Sequence, residues 1–255
     1  MKDMKTRYLT AGDWALTIEF GNEISKIISR KVRSMKVAIE SRGIPGIIEL
    51  VPAYCSLTVH YNPLIISYDD LIDTLKTLEN QLDEISLPEP KVTEIPTLYG
   101  GKYGEDIEYV ANYNGIAVED VVKIHASKEY LIYMLGFTPG FCYLDQVDER
   151  IATPRLATPR IKVPAGSVGI GGKQTGIYPT EGPAGWRIIG RTPLKLFDPF
   201  REKPILLEAG DYVKFIPIDE DEYKKIEEAV NNGTYVYTIY PKKGMGDCNG
   251  RNKNN

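Results

Sequence analysis

The stretch "YLIYMLGFTPGFCYLD", residues 130–145, reads as a strand for six letters and then stops reading as one. Tyr130, Leu131, Ile132, Tyr133, Met134 and Leu135 are apolar or aromatic. Gly136, Pro139 and Gly140 follow, with Phe137 and Phe141 set among them. A single glycine or proline suffices to leave a sheet. Three of them beside two phenylalanines predict a fixed, compact turn at a strand end, with aromatic rings packed beneath it.

The same character extends along the chain. Between 136 and 193 there are ten Gly and seven Pro in 58 residues, too many for helices. Short apolar runs such as "GSVGIGG", "WRIIG", "LKLF" and "DYVKFIPI" are separated by Gly/Pro turns. That spacing predicts an antiparallel all-β unit, a barrel or a sandwich. Two helical patterns, "GEDIEYVANYNG" and "VEDVVKIHAS", precede it, and "DEDEYKKIEEAV" (219–230) follows it.

Residues 1 to about 86 read differently, as β-α-β-β-α. "WALTIEFG" alternates as a strand. Asn22 is placed to cap a helix carrying Ile24, Ile27, Ile28, Val32 and Met35, which Gly43 ends. "GIIELV" and "SLTVHY" are strands. Ser67 and Asp70 form a short-armed capping box before Leu71, Leu75 and Leu78. This order predicts an α+β domain. The proline-spaced residues 87–101 serve as linker and entry strand, 102–240 as the β-domain, and 241–255 as a polar, disordered tail.

Bulk properties set limits. The 255 residues are 42% hydrophobic and 26% charged, ordinary for a globular chain. No apolar run is long enough to cross a membrane, and the N-terminal residues lack a signal-peptide core. Three scattered cysteines and no CxxC fit a reduced cytoplasm. Two histidines exclude a multi-histidine metal site. The net charge of −4 is uneven. Residues 150–195 hold eight bases and one acid, a net +7, while the remainder holds 23 bases and 34 acids, a net −11. This predicts a small-anion site rather than a nucleic-acid surface. "GSVGIGGKQTG" fails both the P-loop and the GxGxxG pattern.

Candidate site residues follow from type and position. "ATPRLATPRI" (152–161) repeats a proline-stiffened word that presents Arg155 and Arg160, whose guanidinium forks suit oxyanions. His125 is the candidate proton donor or acceptor. Gln174 and Tyr178 are placed to donate hydrogen bonds to a ligand.

Taken together, "YMLGFTPGFCYL", "TPRLATPR" and "VPAGSVGIGGKQTGIYPTEGPAGWRIIGRTPLKLFD" resemble the family of the 5-oxoprolinase B component, allophanate hydrolase subunit 1 and the inhibitor of a sporulation histidine kinase. One departure is Ala184, where the family commonly has glycine. The resemblance implies a cyclophilin-like barrel for 102–240, in which Gly140, Ser167 and Arg191 join Gln174 and Tyr178 as candidates to bind substrate or anion. It also implies a component, inactive alone, of an ATP-dependent lactam hydrolase. With subunits C and A, such a component opens 5-oxo-L-proline to L-glutamate, ATP being the co-substrate together with Mg. The same resemblance leaves two alternatives, an inhibitor of a sensor histidine kinase and an allophanate hydrolase component.

Overall fold

The computed structural model describes residues 5–242. The chain divides into two compact units: Met1–Pro88 with Tyr133–Leu135, and Glu89–Ile132 with Gly136–Asn255.

The first unit is an antiparallel four-stranded sheet with two helices. Its strands are β1 (Arg7–Thr10), β2 (Ala15–Glu19), β3 (Ile47–Pro52) and β4 (Ser56–Tyr61), in the order β1-β2-β4-β3. The helices are α1 (Lys26–Arg42) and α2 (Tyr68–Glu79). Alternate residues Leu16, Ile18, Leu57 and Val59 are fully buried, and Met35, Ile39, Leu71 and Leu75 from the helices join them in one core. Ser25, not Asn22, caps α1, its hydroxyl accepting from the Ile28 N–H, because the helix starts three residues later than expected. Gly43 ends α1 at φ 61. Ser67 caps α2, and its hydroxyl also donates to Asp70 at 2.6 Å. The edge strand β1 carries no apolar alternation and was not expected.

The second unit is a barrel-like sheet with helices. Along the chain come β5 (Lys91–Tyr99), α3 (Ile107–Asn114), α4 (Val118–Ala126), β6 (Glu129–Leu135) and β7 (Cys142–Leu144). Then follow β8 (Arg160–Val163), β9 (Ser167–Gly171), β10 (Gln174–Ile177), β11 (Gly182–Ala184) and β12 (Arg187–Arg191). The unit ends with β13 (Tyr212–Pro217), α5 (Glu220–Asn231) and β14 (Ile239–Pro241). The sheet runs β10-β9-β12-β5-β13-β6-β7, and a Gln146 to Gln174 bridge returns the β7 end to β10. β8 and β11 form a separate ribbon.

Two expectations need correction. The unit is not all-β, since α3, α4 and α5 belong to it, and its sheet is not wholly antiparallel. β13 runs parallel to β5 from Tyr212 opposite Val92 to Pro217 opposite Thr97. Pro96 survives inside β5 because the other edge of that strand is bonded only on either side of it, to β14 and the Thr238 carbonyl at 91–94 and to β12 at 98–99. The tail expected to be disordered lies outside the described residues from 243 onward; Pro241 closes β14.

Candidate functional site

The turn after β6 is built by its own backbone. Gly136 N–H donates to Phe141 O (3.1 Å), Thr138 N–H to Gly136 O (2.9 Å) and Phe141 N–H to Thr138 O (3.0 Å). The middle bond places Phe137 at the centre of a γ-turn of the rarer, strained hand, at φ 69. Among the described residues it is the only non-glycine at positive φ, and it is 67% exposed. Gly140 has φ 83, and a Cβ there would lie 3.2 Å from the Phe197 side chain.

Beneath the turn lies a cluster of rings. Phe141 meets Phe137 (5.7 Å), Tyr143 (4.9 Å), Tyr178 (5.4 Å) and Trp186 (5.8 Å) edge to face. The Trp186 indole lies over the glycines of β9 and β10. A Cβ on Gly171 would stand 2.6 Å from it, and one on Gly176 3.0 Å. The glycine-rich word thus seats an indole. Its strand is hydrogen-bonded on one edge to β10 and on the other to β12, and Gly172 N–H donates to Thr153 O, so these amides form no anion cradle.

The proline-stiffened word crosses beside this cluster as an extended strap. Thr153 and Gly172 exchange backbone hydrogen bonds, and Leu156 N–H donates to Gly185 O (2.7 Å). The exposed Arg155 between them sets its guanidinium 5.8 Å from the Trp186 ring centre, and Nη2 points toward Gln174 Oε1 at 3.4 Å. Arg160 does not join it. Its two terminal nitrogens donate to the two Asp106 oxygens at 2.8 and 2.9 Å, and Nε lies 3.1 Å from Glu105. Asp106 is buried, and it also accepts the Ile188 N–H at 2.7 Å. This side chain stands at the N-terminus of α3 without capping it, so only its acidity was visible beforehand.

The cationic segment is largely neutralised by acids, most of them outside it. Arg150 pairs with Asp148, Lys173 with Glu149, Lys162 with Glu181, and Arg160 and Arg187 share Asp106. Among the described residues this leaves Arg155, Arg191 and Lys195 with no carboxylate partner. Arg191 lies elsewhere, with its guanidinium over Tyr103 at 5.3 Å. The arginines therefore do not converge.

His125 is wholly buried. Thr175 Oγ1 donates to Gly169 O, so it accepts from Nε2–H of the imidazole at 2.8 Å, while Nδ1 accepts the Tyr99 O–H at 2.8 Å. Burial, then the charge of Lys128, brings its pKa down to about 3. Both nitrogens are engaged away from solvent, so the ring holds the barrel interior rather than a reactant. Ser167 is buried too, its hydroxyl donating to Pro164 O at 2.7 Å. Tyr178, by contrast, belongs to the cluster; burial raises its pKa, against a main-chain hydrogen bond from Trp186 and the charge of Arg155.

The structure thus gathers Gly140, Arg155, Gln174 and Tyr178 with Phe137, Phe141, Tyr143 and Trp186, and leaves His125, Arg160, Ser167 and Arg191 out. Trp186 was not among the candidate site residues, although the glycines opposite it were the available signal. A guanidinium beside aromatic faces and a side-chain amide suits a small, planar, anionic molecule. Among the described residues, no group of three or more His, Cys, Asp or Glu is arranged to hold a metal ion, and no helix is long and apolar enough to cross a membrane.

Residues 6–207 match the family described as "Carboxyltransferase domain, subdomain C and D". The chain is 43% identical over 231 residues to the 5-oxoprolinase B component of Bacillus subtilis (strain 168), covering 86% of this chain and 96% of that protein. A conserved uncharacterized protein from Pyrococcus horikoshii, known as a crystal structure, is 52% identical, with a TM-score of 0.51 over 85% of this chain and all of that one. The K. lactis urea amidolyase shares the fold at 21% identity, with a TM-score of 0.76 over 95% of this chain and 17% of that one.

Proposed function

Since the chain belongs to the carboxyltransferase domain family, subdomain C and D, we propose that it is one component of an ATP-dependent 5-oxoprolinase, acting with subunits C and A to open 5-oxo-L-proline to L-glutamate. The observation that carries the reading from family to site is the position of Arg155. It is exposed, lacks a carboxylate partner among the described residues, and stands over the Trp186 indole beside Gln174. A pyrrolidone carboxylate has one anionic end and one planar amide. Arg155 receives the carboxylate as a fork. Tyr178 and Trp186 flank the ring, and the Gln174 amide complements the lactam N–H and C=O.

Lactam opening requires activation of an unreactive amide oxygen and then attack by water. This chain's part in it is to bind and orient. Its glycine-rich strand has its amides committed to the sheet, and its buried imidazole is sealed, so phosphate handling with Mg, water activation and proton transfer belong to the partner subunits. The chain alone is then inactive.

Reconstitution with subunits C and A tests this. ATP-dependent glutamate formation from 5-oxo-L-proline should appear only with all three, and Arg155→Ala should raise KM at least tenfold, the loss of a charge-assisted pair being about 1.5–3 kcal/mol. Full activity in Arg155→Ala and Trp186→Ala alike removes the site from the mechanism.

A further inference from the structure

Away from the Arg155 cluster, a concavity of about 280 Å³ opens beside β5 and β14, lined by charges of both signs. Its volume sits just below the roughly 300–1,000 Å³ of pockets for drug-sized ligands, which suits a small metabolite. Two of its groups have formed no ion pair. Lys91 and Asp211 both line it, yet neither side chain has an ion-pair partner among the described residues; Asp211 Oδ1 accepts only the Lys91 main-chain N–H, at 2.9 Å.

The other charges in the lining are already committed. Lys203 and Glu208 neutralise one another in a close ion pair. Arg201 gives its guanidinium N–H groups to the carbonyls of Lys195, Leu196, Lys203 and Pro204 and to the Tyr237 hydroxyl. It therefore holds the loop rigid and contributes positive potential, with little hydrogen-bonding capacity left over. What remains for a ligand is one ammonium, one carboxylate oxygen, and the apolar sides of Leu206 and Ile239.

From this arrangement we infer that the cavity binds a small α-amino acid as its zwitterion. The ligand carboxylate lies on the Lys91 ammonium within the field of Arg201, its ammonium on Asp211, and its side chain along Leu206 and Ile239. A ligand with a carboxylate but no ammonium leaves Asp211 unanswered beside a bound anion, a repulsive contact. Opening a lactam frees an amine. If the chain serves in the reaction proposed above, the product fits this cavity through its freed ammonium and α-carboxylate, with its two methylenes along Leu206 and Ile239 and its γ-carboxylate reaching past them to solvent, and the substrate, which has no ammonium, does not; the cavity is then a product-sensing site apart from Arg155. That last identification rests on the proposed function; the amino-acid site itself does not.

Isothermal titration calorimetry on the full chain tests it without turnover, using L-glutamate, glutarate and 5-oxo-L-proline. Saturable binding of L-glutamate is expected, at least tenfold tighter than that of glutarate. It should persist in Arg155→Ala and weaken at least tenfold in Lys91→Gln and Asp211→Asn, one charge-assisted contact being lost in each. Lys91 is exposed, so its variant keeps the fold even if Asp211→Asn does not. The proposal is overturned by no saturable L-glutamate binding, by binding that Lys91→Gln leaves intact, or by glutarate binding as tightly. Because 5-oxo-L-proline binding is read in the same experiment through Arg155→Ala, loss of the catalytic reading and loss of this one are told apart.

Discussion

The Asp106 carboxylate meets the Arg160 guanidinium end-on, through two hydrogen bonds of 2.8 and 2.9 Å. These two residues stand 54 positions apart, and their contact ties the start of α3 to the end of the strap that carries Arg155. The Asp106 side chain is 8% exposed and that of Arg160 26%. Removing one partner strands the other in a low-dielectric setting.

Arg160→Ala should therefore destabilise the protein by about 2–4 kcal/mol, somewhat less than loss of a fully buried pair. Arg160→Lys should recover less than half of this, because an ammonium cannot fork onto both oxygens. Urea unfolding measures both. A loss under about 0.5 kcal/mol, the range of ordinary surface substitutions, would show the pair to be ornamental to the fold.

Gly171→Ala places a methyl group 2.6 Å from the Trp186 indole. The ring must move, at about 1–3 kcal/mol for overpacking, and Arg155 loses the face it stands over. Trp14 is 53% exposed and Trp186 6%, so in a Trp14→Phe background the fluorescence reports Trp186 alone. A red shift together with a raised KM is expected; an unshifted spectrum would mean the indole is not held by that glycine.

Much of this architecture was readable beforehand. Gly43 and Ser67 mark helix ends through local chemistry that needs no tertiary context, and the Gly/Pro density after 136 separates the barrel strands from the helical patterns around them. What could not be read was pairing at long range. Arg155 and Arg160 occupy the same place in twin words, "ATPRL" and "ATPRI", yet one faces an indole and the other a carboxylate supplied by Asp106. The repeated word itself does not distinguish them. His125 misled for a related reason, since it is burial that keeps this histidine neutral, and the Tyr99 and Thr175 side chains that engage its two nitrogens reach it from distant strands.

Phe137→Gly separates strain from contact. Glycine adopts φ 69 without the steric cost of a side chain, roughly 1–2 kcal/mol, while the ring pair with Phe141, worth about 0.5–1.5 kcal/mol, is lost. Stability should change by less than about 1 kcal/mol in either direction. If the strained turn exists to hold that ring over the site, the reconstituted enzyme should bind substrate more weakly all the same. Unchanged KM would make the turn a barrel corner and no more.

The buried imidazole gives a pH dependence whose sign is fixed by geometry. His125 has a folded-state pKa of about 3 against about 6.5 when unfolded, so between those values the unfolded chain binds the extra proton. Stability contributed by the neutral ring is complete above about pH 6.5 and is lost as the pH falls toward about 3. Protonation would also put a second donor at Nδ1, opposite the Tyr99 O–H that it now accepts. His125→Gln keeps a donor and an acceptor but cannot titrate. It should lower stability at pH 7 yet flatten the fall between pH 6.5 and 4 relative to the unsubstituted protein, carboxylate titration being common to both. Parallel pH profiles from urea denaturation would show that the ring takes up its proton without leaving the folded state.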